Sequence, residues 1–256
     1  MTVPKGLTDA ALLFDRSVGE GRRDPGPAYV LPAMPPLLMV VVFTALFDRI
    51  ADSPGFGGVD YVDYLLPGAV VLTALLGAGF TATYLVQDAV GGYLDRLRLL
   101  PTSRVAVVGG RQAFEAVRVL PAAVVVLAVC IVLGAPVDGG VAGVTVCLLL
   151  VALLSAAFSG LFHVAGLATR DPQTALALQP VGVLVGLVST ALVPASVAAS
   201  GFSDVARLNP VSVVVDGARA SLAGDVLSSD VAVALAICAA GIVLTQLAVT
   251  RQLSGA

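Results

Sequence analysis

Six apolar runs separated by polar stretches set the pattern of the chain: Tyr29 to Phe47, Leu65 to Val86, Val119 to Leu133, Val141 to Thr169, Ala175 to Ala199 and Val231 to Val249. Most match the roughly 20 residues that an α-helix needs to cross hydrocarbon. The runs are continuous and rich in Leu, Val and Ala, without the alternation of an outer-membrane barrel strand, so they predict helices. Val119 to Leu133 is too short alone. Its helix must start earlier, near Arg111, which carries Glu115 and Arg118 to the membrane boundary, where charges at a span's end snorkel to the interface. The expected fold is an all-α membrane protein of about six transmembrane helices. Residues 1–26 form an N-terminal cytoplasmic amphipathic segment, and 27–256 form one domain with spans near 29–47, 65–86, 112–134, 141–169, 175–199 and 231–249.

Three polar segments interrupt this pattern. In the first, Leu7, Ala11, Phe14 and Val18 recur at helical spacing beside Asp15 and Arg16, which fits either a helix lying on the cytoplasmic membrane face or a disordered leader. The second, Gln87 to Arg118, is the longest cytoplasmic connection. There Gly91 and Gly92 end one helix, and Tyr93, Leu94, Leu97 and Leu100 share a face away from Asp95, Arg96 and Arg98. Pro101 stops or kinks that helix, so the segment reads as a short amphipathic helix or as a solvated loop held at lipid headgroups. In the third, Leu208, Val211, Val215, Ala218 and Leu222 keep helical spacing, and Asp216 and Arg219 are placed to pair. Too short and polar to cross twice, it either dips into the outer leaflet or rests on the outer surface.

Composition strengthens the membrane reading: 58% of residues are hydrophobic, 12% are charged and the mean hydropathy is +0.98. The net charge of −3 argues against nucleic acid as a partner. The distribution of charge gives an orientation. Lys5, Arg16, Arg22, Arg23, Arg96, Arg98, Arg104, Arg111, Arg118, Arg170 and Arg251 fall on one side of the spans, against Arg49, Arg207 and Arg219 on the other. By the positive-inside rule both termini are then cytoplasmic. Cys130, Cys147 and Cys238 sit singly in apolar runs, which suggests buried hydrophobes rather than a disulfide framework or metal site. The first 25 or so residues are too mixed for a signal peptide.

Chemistry-bearing residues are sparse within the runs. Asp and Glu are missing from the middles of all six, and His163 lies among Leu161, Phe162 and Val164. The pattern thus offers neither the buried ionisable groups of an ion-coupled carrier nor the converging groups of an intramembrane enzyme. Thr81, Thr83, Ser155, Ser159, Ser189 and Thr190 serve helix packing or line a pathway. Gly182 and Gly186 have the Gly-x-x-x-Gly spacing that lets helices approach closely. A P-loop would need Gly-x-x-x-x-Gly-Lys, and the lone lysine is Lys5.

Two blocks carry a family resemblance. After the second span stand Gly92, Asp95, Arg96, Arg98, Pro101, Ser103 and Arg104, followed by Gly110 and Arg111; after the fifth stand Asn209, Pro210, Arg219 and Gly224. Arg22-Arg23-Asp24-Pro25 precedes the first span, with Pro32 and Pro35 near its start. In these features, over nearly its whole length, the chain resembles the membrane subunits of type-2 ABC exporters, especially the daunorubicin-resistance-like permeases. It departs from many of them in having Ala199-Ser200-Gly201-Phe202 where a Met-Pro-x-Trp element stands before Asn-Pro.

The resemblance implies the permease subunit of an ATP-driven exporter of a hydrophobic or amphipathic compound. It implies two cytoplasmic ATPase subunits, which bind the ATP and Mg, and a second permease, identical or paralogous, within membrane lipid. Gly92, Tyr93, Leu94, Asp95, Arg96, Leu97, Arg98 and Pro101 would form the segment that couples to the ATPase. The first and fifth spans would meet across a dimer axis, which offers Gly182 and Gly186 as interface residues. A lipid or lipid-linked glycan exporter is the alternative cargo reading, with an ion-coupled secondary transporter further off.

Overall fold

The structure, a computed structural model, describes residues 5–23, 25–47, 61–78, 80–92, 104–169, 171, 173, 177, 179–192 and 200–255. Helices α1 (Lys5–Arg23), α2 (Met34–Phe47), α3 (Tyr61–Gly77) and α4 (Phe80–Val90) come first. They are followed by α5 (Arg104–Arg118), α6 (Leu120–Val132), α7 (Gly140–Thr169), α8 (Gln179–Leu187), α9 (Ser200–Leu208), α10 (Pro210–Leu222) and α11 (Ser229–Gly255). A π-helical turn, Gly26–Val30, joins α1 to α2. Among the described residues no strand occurs, as the continuous apolar runs predict.

Four helical stretches are long and apolar enough to cross a membrane: Tyr61–Val90, Val105–Val132, Gly140–Thr169 and Ser229–Leu253. The first joins α3 to α4 and the second joins α5 to α6. Met34–Leu46 is apolar but shorter. It begins five residues later than the apolar run because the π-helical turn occupies Gly26–Val30 and α2 opens at Met34, with Pro35 and Pro36 in its first turn. Residues 48–60 and 193–199 lie outside the described residues.

One apolar core, containing Leu65, Leu66, Val70, Leu75, Val126, Leu150, Val151, Val214, Val215 and Cys238, runs through α3, α6, α7, α10 and α11. Cross-links define two ends. At one, here the arginine end, the Gln246 amide donates to the Val105 carbonyl at 2.6 Å and the Gln252 amide to that of Val164 at 3.1 Å. At the other, here the capped end, the Tyr61 hydroxyl donates to the Leu192 carbonyl at 3.0 Å and the Gly139 amide to that of Leu222 at 2.8 Å.

The short third run does borrow its helix from the charged segment, and further than Arg111. The Val119 amide bonds to the Glu115 carbonyl at 3.2 Å, so α5 continues into α6. Glu115 and Arg118 consequently sit near the midpoint of Val105–Val132 rather than at its end, and both are fully buried. They do not snorkel. Measuring runs by hydropathy hid an acid in the middle of a span, because protein covers the charged stretch and lipid does not.

Candidate functional site

The first 19 residues of the described chain form a helix, but its packing face is rotated from the expected one. α1 lies on α5: the Phe14 and Phe114 rings meet edge to face with centroids 6.2 Å apart, and Gly110 faces the Ala10 carbonyl and the Leu13 side chain. Leu13 and Ser17 belong to this seam while Ala11 is exposed. A small residue at Gly110 allows a helix backbone close enough to outcompete lipid as the partner of this face.

This seam carries a cluster of charges. Asp88, near the end of α4, accepts from Arg16 of α1 at 2.6 Å and from Arg111 of α5. Glu20 lies 3.1 Å from Arg16 and 3.7 Å from Arg111. Two acids thus balance two arginines, and Arg111 is almost wholly shielded from solvent. Two residues beyond Asp88, α4 ends: the Gly91 amide reaches back to Gln87 at 2.8 Å, and Gly92 takes φ +73°, a conformation glycine adopts without strain. Of the expected coupling residues only Gly92 is described; Tyr93, Leu94, Asp95, Arg96, Leu97, Arg98 and Pro101 lie outside the described residues. What the structure brings together are the flanks of that segment, α4 and α5, held to one another and to α1 through Asp88.

Deeper in the bundle is a second charged layer. The Arg118 guanidinium donates through Nε to Glu115 Oε2 at 3.0 Å and through Nη2 to Glu115 Oε1. It also reaches the Gly77 carbonyl at 2.6 Å and the Ala28 carbonyl. Gly77 ends α3, so its carbonyl lacks the helical partner it would have in an unbroken helix, and Ala28 lies in the π-helical turn. One planar group with five donors suits several fixed acceptors at once. Ser155 of α7 donates to Glu115 at 3.2 Å. Ser155, Ser159 and His163, spaced by four, are all fully buried and give α7 a polar stripe on one face. Gln112 of α5 donates to Thr245 of α11 at 3.0 Å. The sequence reading missed this layer; the spacing Gly77, Arg118 and Ser155, each near the middle of a long helix, was its signal.

At the capped end, Asn209 and Pro210 work as a helix start. The Asn209 side chain accepts from the Val211 amide at 2.9 Å, Pro210 occupies the first turn of α10, and the extended backbone at Asn209 separates α9 from α10. The Asn209 amide also donates to Val185 at 2.7 Å and to Val188 at 3.2 Å, tying the end of α8 to the start of α10. Val211, Val215, Ala218 and Leu222 are buried, whereas Leu208, which shares their spacing, is exposed because the chain breaks at Asn209. α10 packs among α3, α7 and α11 rather than resting on the surface of the bundle.

Arg219 pairs with Asp216 at 2.7 Å, as the spacing predicts, and its guanidinium carbon lies 4.5 Å from the centre of the Tyr64 ring. Burial and the nearby Asp230 raise the Asp216 carboxyl above its ordinary range, against the lowering effect of Arg219. Gly182 faces the Leu75 carbonyl and Gly186 the Leu72 side chain. The close approach that their spacing permits is therefore made to α3 of the same chain.

The profile of the ABC-2 type transporter family matches residues 9–223. Among curated proteins, the daunorubicin resistance ABC transporter permease protein DrrB1 of Streptomyces coeruleorubidus is 29% identical over 139 residues. The match covers 54% of this chain and 48% of that protein, so the chain aligns with about half the length of its relative. No solved structure matches.

Proposed function

The chain belongs to the ABC-2 type transporter family, and we propose that it is the permease subunit of an ATP-driven exporter, energised by separate cytoplasmic ATPase subunits. It is a multi-pass membrane protein, with four helices of sufficient length and apolarity to span. The observation that carries the proposal is Asp88. It joins the helix leading into the segment 93–101 to the helix leading out of it, and both to α1. A push on that segment therefore moves α4, α5 and α1 together, and α5 continues through Arg118 into the middle of the bundle. Coupling of this kind needs a contiguous, stiff element with two discrete placements, and a clamp of paired charges supplies the stiffness.

The arginine end gathers Arg16, Arg22, Arg23, Arg111 and Arg251, while the capped end holds Asp138, Asp204, Asp216, Asp225 and Asp230 against Arg207 and Arg219. On the positive-inside rule the arginine end is cytoplasmic, with both termini there, and it receives the ATPase. The assembly we infer has two permease subunits and two ATPase subunits, with ATP and Mg bound by the latter. The relative's name associates it with daunorubicin resistance, which favours a hydrophobic or amphipathic drug-like compound as cargo.

The test pairs two variants in a reconstituted transporter. Leu97→Asp, which puts a charge among the leucines of the segment, is expected to abolish ATPase copurification and export. Asp88→Asn is expected to keep the ATPase bound but to reduce substrate-stimulated hydrolysis and export, since it loosens the clamp and leaves the docking face intact. Unchanged export in both variants, or transport by the chain alone under an ion gradient, overturns the proposal.

A further inference from the structure

The capped end holds an open cleft of about 390 Å³ lined by Tyr64, Thr190, Arg207, Ser212, Val213, Asp216 and Arg219. Its floor is fixed by hydrogen bonds. The Tyr64 hydroxyl donates to the Thr190 carbonyl at 2.6 Å, and the Thr190 amide donates to the Ser212 hydroxyl at 3.1 Å, leaving the hydroxyl proton of Ser212 to donate elsewhere. Arg219 is preorganised by its stack on Tyr64 and by the bond from Nη1 to Asp216, while its Nε and Nη2 have no hydrogen-bond partner among the described residues. Arg207, the last basic residue of α9, is exposed and forms no ion pair among the described residues. Among the residues that line the cleft, Arg219 is paired with Asp216, which Asp230 also approaches, and Arg207 is the second guanidinium. Beside it the exposed side chains of Val205 and Leu208 give α9 an apolar face on both sides of Arg207.

We propose that this cleft is a binding site for a phosphate or carboxylate group carried on an amphiphile, held by Arg207 and Arg219 with Ser212 as a hydroxyl donor. Guanidinium groups match the planar or tetrahedral oxygens of these anions, and hydrogen bonds to an ionised partner are shorter and stronger than neutral ones. The apolar flank formed by Val205 and Leu208 takes the hydrocarbon part. A bare anion would lose this half of the recognition, and a neutral amphiphile the other. The site stands on the cleft's own geometry and holds whether its ligand is cargo or a lipid of the surrounding bilayer.

The experiment uses the full chain in phosphatidylcholine nanodiscs, with dodecyl phosphate as the probe and the thermal midpoint and binding isotherm as readouts. Dodecyl phosphate is expected to bind saturably and raise the midpoint. Arg207→Gln is expected to weaken it about tenfold, the worth of one charge-assisted hydrogen bond, and Arg207→Lys to recover part of that loss. Arg207 is exposed and forms no ion pair among the described residues, so neither variant is expected to disturb the fold; Ser212→Ala gives a second, smaller loss. Competition by phosphatidylglycerol nanodiscs supports a lipid headgroup as the natural source, and equal binding of inorganic phosphate overturns the amphiphile, since the apolar flank would then contribute nothing. Binding of dodecyl phosphate that is unaltered by Arg207→Gln and Ser212→Ala, or matched by uncharged dodecyl maltoside, overturns the site.

Discussion

At the arginine end, α1, α4 and α5 are joined through Arg16, Glu20, Asp88 and Arg111, and below them Arg118 and Glu115 pair at the middle of the bundle. At the capped end, α10 is held by a buried apolar face, by one asparagine and by backbone contacts with α7. The first arrangement depends on charges that protein shields from lipid, the second on shape and on satisfied helix ends. This difference decides how each end answers to change. Shape tolerates a small substitution with a small loss, whereas a buried charge that loses its partner leaves the full desolvation cost behind.

The comparison is tested most severely at Arg118. Arg118→Met leaves Glu115 as an uncompensated buried charge and removes the donors to the Gly77 and Ala28 carbonyls, so it should cost about 3–5 kcal/mol, read as a loss of folded protein and of thermal midpoint in detergent. The double variant with Glu115→Leu should recover much of that loss, because an apolar pair of similar volume escapes the desolvation penalty. If the double variant is as unstable as the single one, the carbonyl contacts of Arg118 matter more than its ion pair. At the capped end the largest effect should come from Gly143. A β-carbon there collides with the Ser221 carbonyl, and Gly143→Val should destabilise by about 1–3 kcal/mol in the same assay.

How far each end was legible in the sequence follows from the same difference. The capped end was written locally: Asn209 before Pro210 is a helix start, Asp216 and Arg219 are three apart, and Val211, Val215, Ala218 and Leu222 mark a buried face. What local pattern missed was the break that exposes Leu208. The arginine end was written over distance. Asp88 and Arg111 are 23 residues apart and Arg16 and Asp88 are 72 apart, so no spacing announces them. Glu115 and Arg118 were visible as a charged stretch beside a short run, but hydropathy counts cost in lipid and is blind to a neighbour such as Ser155 that makes the site polar. Gly182 and Gly186 lie against α3 of the same chain, a neighbour that their spacing does not name.

A smaller effect is expected at Asn209. Asn209→Ala removes the cap on α10 and the donors to Val185 and Val188, and should cost about 1–2 kcal/mol in thermal unfolding. Asn209→Asp keeps the acceptor for the Val211 amide but loses the two donors. If the loss sits in the cap, the aspartate variant should match the native protein; if it sits in the tie to α8, that variant should behave as the alanine one.

The smallest effect should be at Asp216, and its sign is informative. The Asp216 carboxyl is raised in the folded protein by burial and by Asp230, with Arg219 opposing and Tyr64 and Arg207 lining the same cleft. A raised carboxyl binds its proton more tightly when folded than when unfolded. Its contribution to stability is therefore full below the ordinary carboxylate range, declines as pH rises through that range toward the raised value, and is flat above it. Asp216→Asn should abolish that decline and change stability at neutral pH by no more than about 0.5 kcal/mol, because the pair with Arg219 is half-exposed and solvent screens it. Parallel stability profiles for the two proteins between pH 3 and pH 6, expected at roughly the span of a shifted carboxylate, would place the decline on another acid, and a large loss at neutral pH would mean that the capped end also relies on a charge pair.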